Sequence, residues 1–159
     1  MTISDRIAVM REGRLEQVGT ARDVYQHPET RFVAGFVGQS NLLAGVMGQD
    51  GRSVETAIGP VPCRHTHGRS PGEAVTISIR PCAFERDDDG PVRGRIVTTT
   101  FTGDNIDALL EVVTEKGEKT IFGVHLHPED IIGAGDRASF RIIPYFVAVV
   151  NDPAKEIAR

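Results

Sequence analysis

Four of the five histidines form two His-x-His elements, His65/His67 and His125/His127. Side chains two apart on a β-strand share a face, so each pair could offer two imidazoles to one metal ion. Pro128 directly after His127 marks a strand end at the surface, and both pairs read as surface or loop histidines before they read as ligands. Nucleophilic catalysis has no recognisable home. There is no Gly-x-Ser-x-Gly element, and neither Cys63 nor Cys82 has a distinctive flank. The paired acids Glu129/Asp130 and residues 87–89 fall in Gly/Pro-rich loops and read as solvated. No Gly-x-x-x-x-Gly-Lys-Ser/Thr phosphate loop occurs, and Gly133-Ala134-Gly135-Asp136 is a turn.

One polar element stands apart. Ser78-Ile79-Arg80-Pro81 ends an apolar run with a guanidinium and a proline that stops a strand ladder. Arginine presents a planar fork of donors, which suits an inter-domain contact or a bound anion. The competing reading is a strand end with an exposed arginine.

Composition narrows the class. At 159 residues, 40% apolar and 25% charged, the chain can pack a core. A net charge of -4, with no run of Lys/Arg longer than two, argues against a nucleic-acid binder. The longest acidic block, residues 85–89, is broken by Arg86 and reads as a solvated loop. No stretch approaches the ~18 apolar residues of a membrane span, so no direct membrane insertion is expected. The N-terminus lacks the basic and apolar regions of a secretory signal, which makes reduced thiols in a cytoplasmic protein the expectation.

The elements that must position these residues change character near Gly38. Residues 6–10 and 14–18 alternate around Arg11-Glu12-Gly13, a hairpin signal. Thr20 with Asp23 three residues on opens a helix over 21–27. Pro28 ends it and leads into a second helix over 29–37, with Phe32, Val33, Phe36 and Val37 on one face and Gly38 as a left-handed stop. From Asn41 the period is two, with strands expected at 41–47, 53–58, 74–79, 92–100, 105–113, 120–126, 137–142 and 146–150. Gly94 and Gly123 are expected to mark bulges or bends where a small barrel closes. Residues 41–79 and 91–142 look like two similar β-units sharing a core.

Read together, these residues resemble a known family. Residues 4–43, SDRIAVMREGRLEQVGTARDVYQHPETRFVAGFVGQSNLL, resemble the end of the nucleotide-binding domain in the ATPase subunit of bacterial ABC importers. The remainder resembles that family's C-terminal regulatory domain of transport-associated OB (TOBE) fold. Ser78-Ile79-Arg80-Pro81 matches its "IRPE" element with Cys82 in place of the acid, and Phe101-Thr102-Gly103-Asp104 matches a "GD" turn. The FVAGFVGQSN stretch is most similar to polyamine (spermidine/putrescine) importers, with iron, thiamine, phosphonate and sugar importers as relatives.

The resemblance implies a mainly β, OB-like (TOBE) barrel over 40–159, preceded by a β-hairpin and two short helices left from the ATPase lobe at 1–39. It implies that the Walker A loop, Walker B acid, signature and switch histidine lie upstream of Met1. The chain is then a non-catalytic fragment without a cofactor, whose parent binds ATP and Mg. Implied partners are permease subunits and a solute-binding protein, at the inner face of the membrane. A homodimer is expected, with the Phe32/Phe36 face seeking burial. The alternative is an OB module sensing an oxyanion or the transported solute, with Arg80, Thr98 and Thr100 as donors.

Overall fold

A computed structural model describes residues 5–151. Ser4 of the family-like segment and residues 152–159 of the expected second domain lie outside the described residues. The hairpin forms as β1 (Ile7–Arg11) and β2 (Arg14–Gly19), turning through Glu12 and Gly13, both at positive φ (49° and 77°). Two left-handed residues match the right-handed twist of the paired strands.

Threonines start both helices. In α1 (Ala21–Gln26) Thr20 Oγ1 accepts from the Asp23 N–H at 3.1 Å. In α2 (Arg31–Phe36) Thr30 Oγ1 accepts from the Val33 N–H at 3.2 Å, which moves the start two residues past the expected position. The expected left-handed stop at Gly38 is not formed. Val37 ends α2 in a right-handed conformation, and Gly38 has no positive φ. Its small size serves packing instead, because a Cβ there would lie 3.1 Å from the Tyr25 ring.

Residues 41–150 build an OB-like barrel from two curled five-stranded sheets. In chain order the strands are β3 (Asn41–Met47), β4 (Ser53–Thr56), β5 (Gly59–Pro62), β6 (Ala74–Ile79), β7 (Phe84–Arg86), β8 (Val92–Phe101), β9 (Ile106–Val113), β10 (Lys119–Leu126), β11 (Arg137–Ile142) and β12 (Val147–Val150). One sheet has the order β10-β9-β8-β11-β7 and the other β12-β6-β3-β4-β5. Two strands were not expected. β5 carries Pro60 and Pro62 pointing outward on a sheet edge, where a missing N–H does no harm. β7 draws Glu85 and Arg86 out of the presumed acidic loop, because Phe84 is buried in the core.

The two units repeat a topology. β3 pairs with β4 and β6, as β8 pairs with β9 and β11. Each unit then passes through a one-turn 3-10 helix (Pro81–Ala83 or Pro144–Phe146) and donates its last strand to the other sheet, β7 to β11 and β12 to β6. The crossovers clasp one another: the Arg80 N–H donates to Phe146 C=O (3.2 Å) and the Ile143 N–H to Ala83 C=O (2.8 Å). One shared core, with Ile77, Ile79, Ile96, Leu110, Phe122 and Phe140 fully buried, lies between the sheets.

The glycines expected at bulges do other work. The register shift in β8 falls between Ile96 and Thr98, not at Gly94. Gly94 permits a close strand approach, since a Cβ would stand 2.3 Å from Glu111 O. Gly123 on edge strand β10 is bracketed by the Asn41 carboxamide. Its N–H donates to Asn41 Oδ1, and Asn41 Nδ2 donates to its C=O, both at 2.8 Å. Asn41 Nδ2 also donates to Ile79 C=O at 3.1 Å, so one side chain joins the two sheets.

Hairpin and helices form a second cluster whose fully buried members are Val9, Val24 and Val33. Three buried valines contribute about 1.5–3 kcal/mol each. A core this small does little to offset the conformational entropy of ordering the chain around it. This segment therefore depends on its attachment to the barrel.

Candidate functional site

That attachment is built on Arg80. It leaves the end of β6 at the crossover, where Pro81 stops the ladder, and is only 1% exposed. Its Nε and Nη2 donate to Tyr25 C=O (3.1 and 2.9 Å) in the last turn of α1. Its Nη1 donates to Ala34 C=O (2.8 Å) in α2 and to Gly38 and Gln39 C=O (3.3 and 3.0 Å) in the link to β3. Carbonyls at a helix C-terminus have no intrahelical partner, and one planar fork satisfies those of two helices at once. The guanidinium also lies 4.3 Å from the Tyr25 ring centroid. Burial pulls its pKa down, opposed by the neighbouring Tyr25 and Cys82. Arginine nonetheless stays charged in proteins, and here carbonyl dipoles and a ring face surround the charge. With Nε, Nη1 and Nη2 all aimed at backbone, this residue is out of reach of a solute.

A second seam runs beside it. Thr30 and Asn151 form a parallel bridge, with the Arg31 N–H donating to Asn151 C=O (3.0 Å) and the Asn151 N–H to Glu29 C=O (2.8 Å). Buried Gln17 holds the link between the helices: its Nε2 donates to His27 C=O at 3.0 Å and its Oε1 accepts from the Glu29 N–H at 2.9 Å. His27 from the helical side packs on His65 from the barrel side, ring centroids 3.5 Å apart.

His65 Nε2 is buried without a hydrogen-bond partner among the described residues. Burial first, then the neighbouring His27, Arg64 and His67, push its pKa down to about 4; burial also lowers that of His27, against Asp23. The unfolded chain therefore binds more protons than the folded one between pH 6.5 and about 4. The neutral pair is at full stability above pH 6.5, and stability falls as pH drops below it. We expect His65 to account for about 2 kcal/mol of loss towards pH 4, after discounting for its partial exposure. Urea titrations across this range should show that slope in the wild type and a flatter one in His65→Gln. Equal slopes would remove His65 from the account.

The other candidate residues are dispersed. His67 sits in a turn at φ 48°, so His65 and His67 do not share a strand face. His125 is on β10, 3.3 Å from Asp107, while His127 lies past the strand and accepts from the Glu129 N–H through Nδ1. Thr98 and Thr100 are exposed on β8, opposite Leu109 and Asp107. Phe32 is half buried, stacked on Phe36 (5.6 Å) and beneath Arg11 (4.9 Å), whereas Phe36 is 66% exposed. Tyr25, Gln17 and Asn41 also belong to these junctions, and no sequence motif singles them out. Gln17 and Asn41 stand in the family-like segment, and a polar residue inside an apolar-alternating run was the available signal.

The architecture defines the class, an OB-like β-barrel to which a hairpin and two capped helices are bolted through a buried arginine. No protein-family model matches the chain. It is 38% identical to the spermidine/putrescine import ATP-binding protein PotA of Ruegeria pomeroyi, over 96% of this chain and 43% of that protein. It is 39% identical to the protein of the same name from Lawsonia intracellularis, over 68% of this chain and 32% of that one. The Desulfitobacterium hafniense relative is 29% identical over 95% of this chain and 41% of its own length. The chain thus spans less than half the length of these curated relatives. It belongs to the family of ABC-importer ATP-binding subunits and matches their C-terminal part. Among the described residues no helix is long and apolar enough to cross a membrane.

Proposed function

We propose that this chain is the non-catalytic, regulatory and dimerising end of the ATP-binding subunit of a polyamine-type ABC importer. In this reading residues 1–39 are the edge of the ATPase lobe and residues 40–159 the regulatory barrel. The parent binds ATP and Mg, works with permease subunits and a solute-binding protein, and sits at the cytoplasmic face of the membrane. One observation carries the proposal: among the described residues the hairpin–helix segment's own cluster buries little beyond Val9, Val24 and Val33, yet the segment exposes Met10, Leu15, Val18 and Phe36. A segment with so small a core and so many exposed apolar side chains, clamped to a barrel by Arg80, is the expected form of a lobe edge joined to its regulatory domain.

The barrel transmits position rather than chemistry. Arg80 ties both helices to the crossover between the sheets, so a shift of the lobe edge moves the barrel with it. Pairing of two copies through one self-complementary patch holds two subunits together while their ATP sites open and close. The chain should sediment as a dimer at high micromolar concentration. A wild-type monomer under those conditions overturns the pairing. The absence of a Walker A loop and signature from the residues encoded upstream overturns the family role.

A further inference from the structure

The outer face of the first sheet carries a basic cleft that the Arg80 junction leaves untouched. β8 pairs with β9 only from Arg95 onward (Arg95↔Glu111), while its preceding residues pair with β11 alone. β9 continues with β10 as far as Val113↔Lys119. The outward faces of β8, β9, β10 and β11 at this end of the sheet frame a cleft of about 530 Å³ lined by Arg93, Arg95, Arg137, Lys119, Glu111 and Ser139, among others. Four cations face one carboxylate there, in a chain whose net charge is -4.

The register sharpens the point. Arg95 and Arg137 are directly opposite one another on antiparallel strands. Like charges so placed destabilise a sheet. Among the described residues no ion pair engages either of them. Glu111 stands 3.8 Å from Lys119 instead, and Arg93 Nε donates to Gly90 C=O at 3.4 Å. Asp87, in the turn before β8, has its carboxylate on the Asp89 N–H.

We propose that this cleft binds a small molecule bearing a phosphate or pyrophosphate group. Three guanidinium forks offer paired donors to a tetrahedral oxyanion, and a multivalent anion offsets the Arg95–Arg137 repulsion. The volume lies within the range of small-molecule sites and exceeds what one inorganic phosphate fills, so a phosphorylated metabolite of nucleotide size fits. A polyamine is excluded by charge, which makes the signal chemically distinct from the proposed cargo. The inference rests on the regulatory reading for its consequence but not for the binding itself.

Calorimetric titration of the 159-residue chain in low-chloride buffer tests it, with inorganic phosphate, pyrophosphate, a nucleoside triphosphate, spermidine and a glutamate-rich peptide as probes. We expect saturable heat with pyrophosphate and the nucleotide, none with spermidine, and weakening of roughly tenfold or more in Arg95→Gln/Arg137→Gln. The unliganded double variant should melt no lower than the wild type, since it relieves a repulsion. No saturable heat with pyrophosphate, equal affinity in the variant, or tighter binding of the acidic peptide would each overturn the proposal. A chain that stays monomeric yet binds pyrophosphate overturns the pairing and leaves the site standing.

Discussion

Replacing Arg80 by alanine should destabilise the chain by roughly 3–5 kcal/mol and release the hairpin–helix segment from the barrel. The loss has two parts. Tyr25, Ala34, Gly38 and Gln39 each lose the donor on their carbonyls. Each orphaned buried acceptor costs about 1–3 kcal/mol, reduced where water reaches it. The segment also loses the main contact that supplements its three buried valines. Lysine at this position should recover only part of the stability, because a point-like ammonium cannot span four carbonyls from two helices and the link to β3. Urea denaturation gives the magnitude, and hydrogen exchange gives the location: protection should fall first in α1 and α2 while the barrel strands hold theirs. A loss below about 1 kcal/mol, with exchange unchanged in both helices, would show that the segment is held by other contacts. In the proposed parent subunit the same substitution should uncouple barrel and lobe without touching an ATP-binding residue.

The second large effect is expected at Asn41. Its carboxamide makes three hydrogen bonds, two to Gly123 on the edge of one sheet and one to Ile79 C=O in the other. In effect it is a one-residue extension of the sheet across the barrel seam. Alanine leaves one donor and two acceptors without partners, for a cost of about 2–4 kcal/mol. Aspartate is the sharper probe, because it keeps the acceptor for the Gly123 N–H but sets a carboxylate against two carbonyl oxygens. It should therefore be no better than alanine despite matching the shape. The check is a shift of the urea midpoint at constant m-value, with exchange rising in β10. A change within about half a kcal/mol, the range of an ordinary surface site, would mean that the seam closes without this side chain.

Much of the fold was legible in the residues, and the reasons are local. Period-two alternation located β3, β6, β8, β9, β10 and β11 to within about two residues, as expected where one face is buried. Thr20 and Thr30 mark both helix starts, although only the first was recognised. Two features failed for identifiable reasons. β5 and β7 are short edge strands whose prolines and charges carry a turn signal, and only pairing with a neighbour makes them strands. Gly38, Gly94 and Gly123 were read through backbone freedom, whereas what matters at each is the atom lying next to it: the Tyr25 ring, Glu111 O and the Asn41 carboxamide.

The candidate site was less legible. Arg80 was singled out, but nothing nearby in sequence tells that its partners lie 41 to 55 positions earlier. Strand geometry would put His65 and His67 on one face, and the turn at His67 separates them. The basic cleft was invisible because its members come from four strands. By itself the sequence determined the alternation, the turns, the capped helix starts and the family, since each rests on neighbours within a few residues or on a contiguous motif. Only the tertiary structure decided which sheet receives β7 and β12, that Arg80 is buried among carbonyls rather than exposed at a strand end, and that Arg95 faces Arg137. Those outcomes depend on how two distant β-units close over one shared core, and no local pattern encodes that closure.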